Sequence, residues 1–426
     1  MTFAANSAGF GGGKLDEQAE TLEVLIVGAG PAGLAAAVAL RQAGVGKVVV
    51  VERQDVAGGI PRQCGHSPFG MREFHRLLSG KRYAERLVDA AVAAGAELRL
   101  NHSVVEISEG PRALVATAKG VQQLAPRQIL LATGIREATR ASRLVSGQRP
   151  LGVMNTAALQ DMVFLRRLRP FKRPVIVGTE LVSMSAILTC LTAGARPAAI
   201  IEARPRSVVR APFSWLPRLL RIPIFRDQEI ADISGNPTVD AVMLRDRAGA
   251  ITRIACDGVL FTGSFTPEAS LVRNAGIAID DGSAGPVVDT CGRTDLAGVY
   301  AAGNILRGVE TAGRCWAEGR AVAAAMAADL RRDNLAPAGR LIETGPGVKF
   351  AMPQRIATGE VMAFPAIQIR LDDWLTGELA VEDNGKTVWR RKLTSGPERR
   401  IAVPLAALPT QPEGKLRIVV RNGRGG

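Results

Sequence analysis

Three glycines and one carboxylate near the start of the chain have the spacing of a diphosphate-binding site. Gly28, Gly30 and Gly33 follow the apolar run VLIV and precede the alanine-rich segment LAAAVALRQAG. The first glycine permits a tight turn, the second lets backbone approach a pyrophosphate, and the third lets a helix pack close to a strand. Glu52 ends the next apolar run, where a carboxylate can accept hydrogen bonds from a ribose diol. The pattern predicts a dinucleotide-binding strand–turn–helix–strand unit with the phosphates at the helix N-terminus.

Cys64 and His66 are the nearby side chains whose types suit redox or acid–base chemistry. They lie in the loop GGIPRQCGHSPFGMREF (58–74), and the chain has only three histidines. Histidine titrates near neutral pH, so His66 is the candidate acid or base and Cys64 its neighbouring thiol. The alternative, which the sequence favours, is a loop that packs on a cofactor with an inert His66. The five cysteines lie far apart, which argues against a dithiol relay, a disulfide framework or a zinc site, and no metal site is expected.

A second turn of the same kind, PVIVGTELVSMS (174–185), has lost two of its three glycines. Gly178 keeps the first position, while Glu180 and Ser183 replace the second and third. Ser183 is small enough to be tolerated. The Glu180 carboxylate, however, falls where a pyrophosphate should meet bare backbone, and it would repel the phosphates at the helix N-terminus. The turn predicts a retained fold with a weakened or lost nicotinamide-nucleotide site.

The strand after this second turn leaves an alternative open. It ends at Glu202, so the topology of a nucleotide-binding domain is kept. If Glu180 swings outward, NAD(P)H still binds, and Arg204 and Arg206 can receive a 2′-phosphate. NAD(P) binding is therefore doubtful on the sequence, because a fold does not guarantee its function.

The composition indicates the elements that must position these groups. The chain has 426 residues, 47% hydrophobic and only 4% aromatic, with abundant Ala, Val, Leu and Gly, as parallel sheets covered by helices require.

Its net charge of +14 comes from scattered basic residues, so an arginine-rich proteome is favoured over a specific acidic partner or anionic lipid surface, and nucleic-acid binding is not expected. The N-terminus has no signal-peptide pattern and the apolar runs are too short for a membrane span. We expect a cytoplasmic protein that could lie against a membrane.

Two later strand ends complete a recognisable order of motifs. QILLATGIRE (128–137) carries Ala132-Thr133-Gly134, and TDLAGVYAAGNI (294–305) carries Gly303-Asn304. Together with the first turn and the diglycine Gly58-Gly59, this order resembles the flavoprotein superfamily with two dinucleotide-binding domains, which includes glutathione and thioredoxin reductases. The resemblance covers about residues 22 to 332, and it implies that the first turn binds FAD.

The resemblance also assigns residues to the cofactor. Asn304 stands where the family more often has Asp, near the ribityl–phosphate region of the flavin. The segment that begins Thr311-Ala312 would place a helix N-terminus near the pyrimidine edge, where its dipole stabilises the charge of the reduced ring. The residues predicted to contact FAD are Gly28, Gly30, Pro31, Ala32, Gly33, Glu52, Arg53, Gly59, Ile60, Val104, Ala132, Thr133, Gly134, Gly303, Asn304, Thr311 and Ala312.

The combination of the 58–74 loop, Glu180 and a missing dithiol narrows the resemblance. With these features the chain is similar to flavin subunits of multicomponent dehydrogenases. These are the α subunits of opine and amino-acid dehydrogenases and of hydrogen cyanide synthase, and the flavoproteins found beside glycerol-3-phosphate dehydrogenases. In such assemblies a partner subunit oxidises the substrate and this type of chain relays electrons. We therefore expect an FAD-dependent oxidoreductase acting as an electron-transfer subunit in a hetero-oligomer. The alternatives are a self-contained NAD(P)H-dependent reductase with a protein or quinone acceptor, and a non-catalytic flavin-bound scaffold.

The predicted fold is α/β, with two Rossmann-like domains, of which the FAD domain is discontinuous, and a small C-terminal β domain. The predicted boundaries are a flexible leader 1–21, an FAD-binding domain 22–137 and 282–332, an NAD(P)-binding-like domain 138–281, a linker 333–347 and the β domain 348–426. The β domain is predicted to dock a partner subunit, the alternative being a stability cap. RAPFSWLPRLL (210–220) is predicted to form a covering helix with snorkelling arginines, the alternative being a surface anchor for a partner or membrane.

Overall fold

The computed structural model describes residues 19–332, 339–357, 361–409 and 415–422. The predicted leader therefore lies almost wholly outside the described residues. The helices are α1 Pro31–Gln42, α2 Gly80–Ala93, α3 Thr156–Gln160, α4 Leu181–Thr192, α5 Leu216–Leu219, α6 Ser270–Asn274 and α7 Ala312–Leu330. The strands are β1 Glu20–Val27, β2 Val48–Glu52, β3 Glu97–Leu100, β4 Ser103–Ser108, β5 Arg112–Thr117, β6 Gly120–Leu131, β7 Ile135–Glu137, β8 Val153–Asn155, β9 Pro174–Val177, β10 Ala199–Glu202, β11 Ile224–Arg226, β12 Gln228–Ser234, β13 Ala241–Asp246, β14 Ile251–Ala255, β15 Gly258–Phe261, β16 Phe265–Pro267, β17 Val299–Ala301, β18 Arg340–Thr344, β19 Val348–Met352, β20 Arg355–Ile356, β21 Ala366–Leu371, β22 Leu375–Asp383, β23 Lys386–Ser395, β24 Ile401–Pro404 and β25 Leu416–Asn422.

The first domain is built on a sheet whose centre is parallel. Strands β3, β2, β1, β6 and β17 lie side by side in that order, and β6 also extends into an antiparallel meander with β5 and β4. The apolar runs of β1 and β2 are buried almost throughout, because helices cover both faces of a parallel sheet. Helix α7 packs closely on α1, since a Cβ atom added at Gly319 would lie only 2.1 Å from the Ala32 carbonyl oxygen. The predicted Rossmann-like architecture is confirmed here.

The second domain repeats this plan. Its parallel sheet has the order β11-β10-β9-β15-β8, and β12, β13 and β14 add an antiparallel layer. The antiparallel pair of β7 and β16 connects the two domains. One boundary differs from the prediction: Ala269, Val272 and Ile277 belong to the core of the first domain. The chain thus returns to the first domain near residue 268 instead of 282, because the apolar side of α6 is buried there.

The C-terminal region is a β domain of two sheets around one core. One sheet has the order β20-β18-β25-β22-β23 and the other β19-β21-β24. β22 and β23 form a hairpin, with Asn384 and Gly385 in the left-handed region at φ 47° and 80° between them. The predicted linker 333–347 differs: residues 333–338 lie outside the described residues, but β18 pairs with β25 and β20. The alternating burial of Arg340 to Ile342 shows why this stretch is a strand and not a linker.

The C-terminal domain shares apolar packing with the first domain. Phe350, Met352 and Phe364 are buried within the first domain's core. The two domains therefore form one packed unit in this region. Among the helices of the described residues, none is both long and apolar enough to cross a bilayer.

Candidate functional site

The first turn is shaped by two glycines that nothing larger could replace. Gly28 has φ +108°, and a Cβ atom there would lie 2.6 Å from the carbonyl oxygen of Ala132 at the end of β6. At Gly33 an added Cβ would lie 2.0 Å from the Gly28 carbonyl oxygen. These contacts hold β1, α1 and the end of β6 together at the carboxyl edge of the sheet. Gly28 and Gly33 thus have the packing roles that the sequence predicted for them.

The space above the second glycine is open. A Cβ added at Gly30 would meet no atom within 4 Å, and Gly30 caps α1 without any side-chain hydrogen bond. Pro31 begins the helix, and the other N–H groups of its first turn carry the positive end of the helix dipole. The Glu52 carboxylate accepts hydrogen bonds from the N–H groups of Ala29 at 3.1 Å and Gln54 at 3.0 Å, which fixes it beside the turn. This arrangement suits a diphosphate joined to a ribose.

The loop after β2 and the end of β17 close around this turn. A Cβ added at Gly59 would lie 2.9 Å from the Gly30 Cα, so only a glycine permits this approach. Ile60 follows with 51% of its surface exposed. On the other side a Cβ added at Gly303 would lie 2.7 Å from the Cβ of Ala32. The structure therefore brings Gly30, Ala32, Gly59 and Gly303 together at the N-terminus of α1.

The other predicted contacts lie further along the sheet edge. The Thr133 hydroxyl donates to the carbonyl oxygen of Glu268 at 2.8 Å, while a Cβ at Gly134 would meet no atom within 4 Å. Arg53 has a 63% exposed side chain, 4.0 Å from the Glu268 carboxylate. Val104 lies in β4, half-buried against the first domain's core. Their contacts with a cofactor stay predictions.

Asn304 has a role within the protein that the sequence did not reveal. Its side-chain N–H donates to the carbonyl oxygen of Glu310 at 3.1 Å, and its side-chain oxygen accepts the Glu310 N–H at 2.7 Å. Both ends of the amide therefore brace the loop that leads to α7. Thr311 caps α7 without a side-chain hydrogen bond, so the N–H groups from Ala312 onward begin a helix whose positive end is available. The predicted contact of Asn304 with the ribityl chain stays a prediction.

A carboxylate already lies beside the start of α7. A Cβ added at Gly313 would lie 2.6 Å from Oε1 of Glu73, so the missing side chain makes room for this group. The Tyr83 hydroxyl donates to the same oxygen at 2.9 Å and holds it in place. Glu73 belongs to the 58–74 loop, which therefore packs directly on the helix that the resemblance assigns to the flavin.

The Cys64 thiol is buried at the boundary between the first two domains. Its Sγ donates to the Gln160 side-chain oxygen at 3.5 Å, across the boundary between the first two domains. Burial, with a smaller contribution from the Glu137 carboxylate, raises the pKa of Cys64 to about 12. A thiol in this state is not a thiolate nucleophile. The catalytic role predicted for Cys64 is therefore not supported by its surroundings.

His66 sits half-buried in the same loop. Its Nδ1 lies 3.4 Å from the Ser67 carbonyl oxygen, and its ring packs against Phe69 with 5.5 Å between centroids. Burial lowers the pKa of His66. Burial therefore favours the uncharged form of the imidazole, and the packing on Phe69 agrees with the inert alternative.

Glu180 of the second turn is equivalent to Gly30 of the first. Its carboxyl lies over the second turn, in the space that corresponds to the open space at Gly30. Glu180 caps α4, and its Oε2 lies 3.3 Å from the Ser183 hydroxyl and 3.4 Å from the Thr262 hydroxyl. A Cβ added at Gly178 would lie 2.4 Å from this oxygen, and one at Gly263 would lie 2.7 Å from the Glu180 Cδ. Burial raises the pKa of Glu180 to about 7. The side chain is therefore turned inward, over the turn.

Two residues beside Glu180 were missed by sequence reasoning. Arg143 donates to the carbonyl oxygens of Thr262 and Gly263, both at 2.8 Å, which places its cation near Glu180. Thr262 lies in FTG (261–263) after β15, which matches the ATG of residues 132–134 after β6. That repeated strand end is the signal that could have identified Thr262.

The acidic end of β10 reproduces the arrangement around Glu52. The Thr179 hydroxyl donates to the Glu202 carboxylate, and the Arg204 N–H donates to its other oxygen at 3.0 Å. Glu202 is buried, with 4% of its surface exposed. The second strand–turn–helix–strand unit therefore keeps the hydrogen bonds around its acidic strand end. The Glu180 carboxyl occupies the space where a diphosphate would bind.

Comparison with known proteins agrees with this duplicated architecture. The family model of the pyridine nucleotide-disulphide oxidoreductases matches residues 22–319. The chain belongs to that family. No curated protein matches it. Thioredoxin reductase from T. acidophilum has a similar structure, with 23% identity, a TM-score of 0.61, and coverage of 73% of this chain and 99% of that one.

Two further solved structures have the same fold. A ferredoxin reductase from Rhodopseudomonas palustris is 21% identical over 84% of this chain and 85% of its own, with a TM-score of 0.55. L-proline dehydrogenase from P. horikoshii is 18% identical over 76% of this chain and 58% of its own, with a TM-score of 0.55. At these identities the likeness shows the fold alone.

Membership of the pyridine nucleotide-disulphide oxidoreductase family makes this protein an FAD-dependent oxidoreductase. The residues of the first turn fit the cofactor. An added Cβ at Gly30 projects into open space, α1 begins without a side-chain cap, and Glu52 is held beside both. These residues would hold the diphosphate and adenosine ribose of FAD.

A buried ionic network links this family fold to the added β domain. The Arg307 guanidinium is fully buried and binds the Glu318 carboxylate of α7, while it also donates to the Gln368 side-chain oxygen of β21 at 2.8 Å. Arg370 of β21 donates to Glu310 at 2.7 Å. The C-terminal domain therefore holds the loop that precedes α7. Partners about 50 to 60 positions apart leave no local pattern, so sequence reasoning missed them.

The C-terminal domain also touches the second nucleotide cleft. The Trp374 ring lies 6.0 Å from the Arg206 guanidinium and 4.7 Å from that of Arg399. Arg206 was the alternative candidate for a 2′-phosphate, and it lies against this domain. Charge from Glu398 also reaches Glu180 and raises its pKa further.

Proposed function

We propose that this flavoprotein is the electron-transfer subunit of a multicomponent dehydrogenase, in which a partner subunit oxidises the substrate. The observation that carries the proposal is the Glu180 carboxyl folded over Gly178 and Gly263, in the space that a nicotinamide nucleotide's diphosphate would need. A flavoprotein that does not take electrons from NAD(P)H must receive them from another donor. A substrate-oxidising partner in a hetero-oligomer supplies that donor.

The energetics of the second turn support this proposal. A diphosphate placed at the start of α4 would meet the Glu180 carboxyl at close range, which excludes it sterically. Where that carboxyl is ionised, above its pKa of about 7, two like charges 4 Å apart also repel by about 4 kcal/mol at an effective dielectric constant of about 20. Moving Glu180 aside would also break its hydrogen bonds with the Ser183 and Thr262 hydroxyls. Both costs weaken nucleotide binding.

The cysteines support an acceptor other than a disulfide. All five are free and buried in the structure. A dithiol relay needs two adjacent thiols, one of them ionised, whereas Cys64 has a pKa near 12. Free thiols also support the proposal of a cytoplasmic location.

The chain's own residues would prepare the site for electron transfer. FAD supplies the hydride and electron chemistry when it is bound. By the resemblance, the start of α7 would supply its positive end to the pyrimidine edge, and Asn304 fixes the loop before this helix. Cys64 and Gln160 contact each other across the boundary between the first two domains. The terminal acceptor would be a quinone, cytochrome or iron–sulfur protein.

A self-contained NAD(P)H-dependent reductase is the second candidate, and a specific observation favours it. Glu202 retains the hydrogen bonds of a working strand end, with Arg204 beside it. If Glu180 rotated out of the turn, this framework could receive a nucleotide. The solved structures with the same fold include thioredoxin and ferredoxin reductases.

Anaerobic stopped-flow mixing distinguishes the two candidates. The oxidised holoprotein is mixed with millimolar NADH or NADPH while the visible flavin absorbance is followed, and dithionite serves as the control for a reducible flavin. We expect dithionite to bleach the flavin and neither nucleotide to do so within seconds. Rapid bleaching by either nucleotide would establish the reductase instead. Purification of the native yellow complex is expected to yield a substrate-oxidising partner.

A further inference from the structure

The second domain carries apolar side chains that project into solvent from a short helix. Phe213, Trp215 and Leu219 are 52%, 65% and 79% exposed. The same segment is anchored, because Leu216 and Leu220 pack against the core between α4 and the sheet. One side of the segment therefore covers the domain as predicted, and its other side offers aromatic and aliphatic groups to solvent.

Neighbouring segments extend this surface. Leu191, near the end of α4, is 38% exposed, and the Arg196 guanidinium that follows α4 donates to the Leu220 carbonyl oxygen at 3.4 Å. The Arg169 guanidinium lies 3.4 Å from a Cβ added at Gly194, so the segment with the exposed Leu168 meets the same end of α4. We call this surface the basic apolar face, defined by Leu168, Leu191, Phe213, Trp215, Leu219 and the arginines among them.

The charge of the basic apolar face is mainly positive. Residues 203–226 contain six arginines and neither Asp nor Glu, and residues 162–179 contain five basic residues and no acid. Asp161 lies at the edge of this segment and pairs with Arg166 at 2.7 Å. The Arg166, Arg167, Arg169, Arg196, Arg218 and Arg221 side chains are exposed. An exposed apolar patch surrounded by cations marks a site of interaction with an anionic surface.

We propose that the basic apolar face binds an anionic membrane surface. Trp215 and Phe213 would lie at headgroup level, Leu219 would enter the acyl boundary, and the arginines would contact lipid phosphates. A membrane suits this face better than an acidic protein, because Phe213, Trp215 and Leu219 are each more than half exposed and so can enter a lipid surface. The inference goes beyond the proposed function and does not depend on which donor reduces the flavin.

Vesicle flotation of the holoprotein tests this inference. Phosphatidylcholine vesicles are compared with vesicles that also contain phosphatidylglycerol, at low and high salt. We expect binding to the anionic vesicles only, weakened by salt. The double variant Trp215→Ala/Leu219→Ala should lower the partition coefficient by about tenfold or more. Arg169→Glu/Arg218→Glu should lower it by a similar factor.

Matched variants elsewhere control for lost hydrophobicity and charge. Leu151→Ala removes a leucine that is 69% exposed on the other side of the second sheet, and Arg390→Glu/Lys392→Glu reverses charges on exposed β23. Both should bind like wild type. Equal binding of wild type and the Trp215→Ala/Leu219→Ala variant would overturn the proposal, and so would equal binding to neutral vesicles. Binding of an acidic protein without vesicle binding would replace the membrane with a protein partner.

Discussion

Gly30 and Glu180 stand at equivalent positions of two similar turns, and their surroundings differ. Nothing lies within 4 Å of a Cβ at Gly30, whereas the Glu180 carboxyl lies 3.3 Å from Ser183 and 3.4 Å from Thr262. The first turn can receive a ligand group, and the second contains a group of its own. At the scale of single residues, this difference distinguishes the proposed FAD-binding turn from a turn whose ligand space contains the Glu180 side chain.

The buried Glu180 predicts a dependence of stability on pH. Its pKa is about 7 in the folded protein against 4.5 ordinarily, so the folded state binds the extra proton between these values. Stability therefore falls as the pH rises through this window, by at most about 3 kcal/mol. Glu180→Gln does not titrate, so its Tm should exceed that of wild type by more near pH 8 than near pH 5. The exposed Glu85→Gln is the control, and an equal Tm difference at both pH values for Glu180→Gln would contradict this prediction.

How far the sequence predicts the site depends on the range of each interaction. Gly33 approaches Gly28 and Glu180 approaches Ser183 within a few positions, so these contacts could be predicted from local spacing. The contact of Gly28 with Ala132 joins distant parts of the chain and could not. Asn304 illustrates the limit, because the family motif indicates its place and not its bonds to the Glu310 main chain. Arg143 approaches Glu180 only through the fold, and no local pattern marks it.

At the scale of elements, the first strand–turn–helix unit depends on close packing of its backbone at Gly33 and on open space at Gly30. A Cβ at Gly33 would collide with the Gly28 carbonyl oxygen at 2.0 Å, while one at Gly30 would not touch the protein. The fold therefore requires glycine at position 33, whereas at position 30 the fold would accept a methyl group and we propose that the ligand requires glycine. These two requirements can be separated by substitution.

Alanine substitutions separate packing from cofactor binding in this unit. Gly33→Ala should lower the Tm and lose FAD, because α1 must move away from the turn. Gly30→Ala should fold like wild type and bind FAD at least about tenfold more weakly, because its methyl group occupies the diphosphate space. Gly46→Ala is the control, since its Cβ would make an ordinary contact of 3.4 Å with Glu23. FAD titration of the apoprotein measures all three, and unchanged affinity in Gly30→Ala would place the diphosphate elsewhere.

Most elements could be predicted from hydrophobic pattern, and the exceptions have physical causes. The buried runs of β1, β2 and β9, and the alternating strands of the C-terminal domain, match the prediction. The sequence predicts a linker at the position of β18 because prolines and glycines surround it, yet β18 pairs with β25. The strand predicted within residues 294–305 is limited to Val299–Ala301, because the flanking segments turn.

At the scale of the whole molecule, the C-terminal domain is joined to the flavin domain by packing and charge. Met352 is fully buried in the first domain's core, and Gln368 and Arg370 reach the network at the start of α7. The sequence predicted the strands of this domain but not these contacts, because alternation shows which face is buried and not what buries it. We infer that the two domains unfold together.

A pair of methionine variants tests this coupling. Met352→Ala should cost about 2–5 kcal/mol, and it should lower the temperature at which FAD is released on heating. Met362→Ala is the matched control, since Met362 is 48% exposed and its loss should change stability by no more than about 0.5 kcal/mol. Flavin fluorescence during thermal unfolding reports the release. An unchanged release temperature in Met352→Ala would mean that the two cores unfold independently.

Calorimetric titration of wild type and Glu180→Gly with NADH and NADPH tests the central claim, that Glu180 closes the second nucleotide site. Glu180→Gly restores the glycine that the turn lacks and leaves Glu202 and Arg204 in place. We predict no saturable binding to wild type at millimolar nucleotide and at least about tenfold tighter binding to Glu180→Gly. Micromolar binding of either nucleotide to wild type, unchanged by Glu180→Gly, would contradict the account.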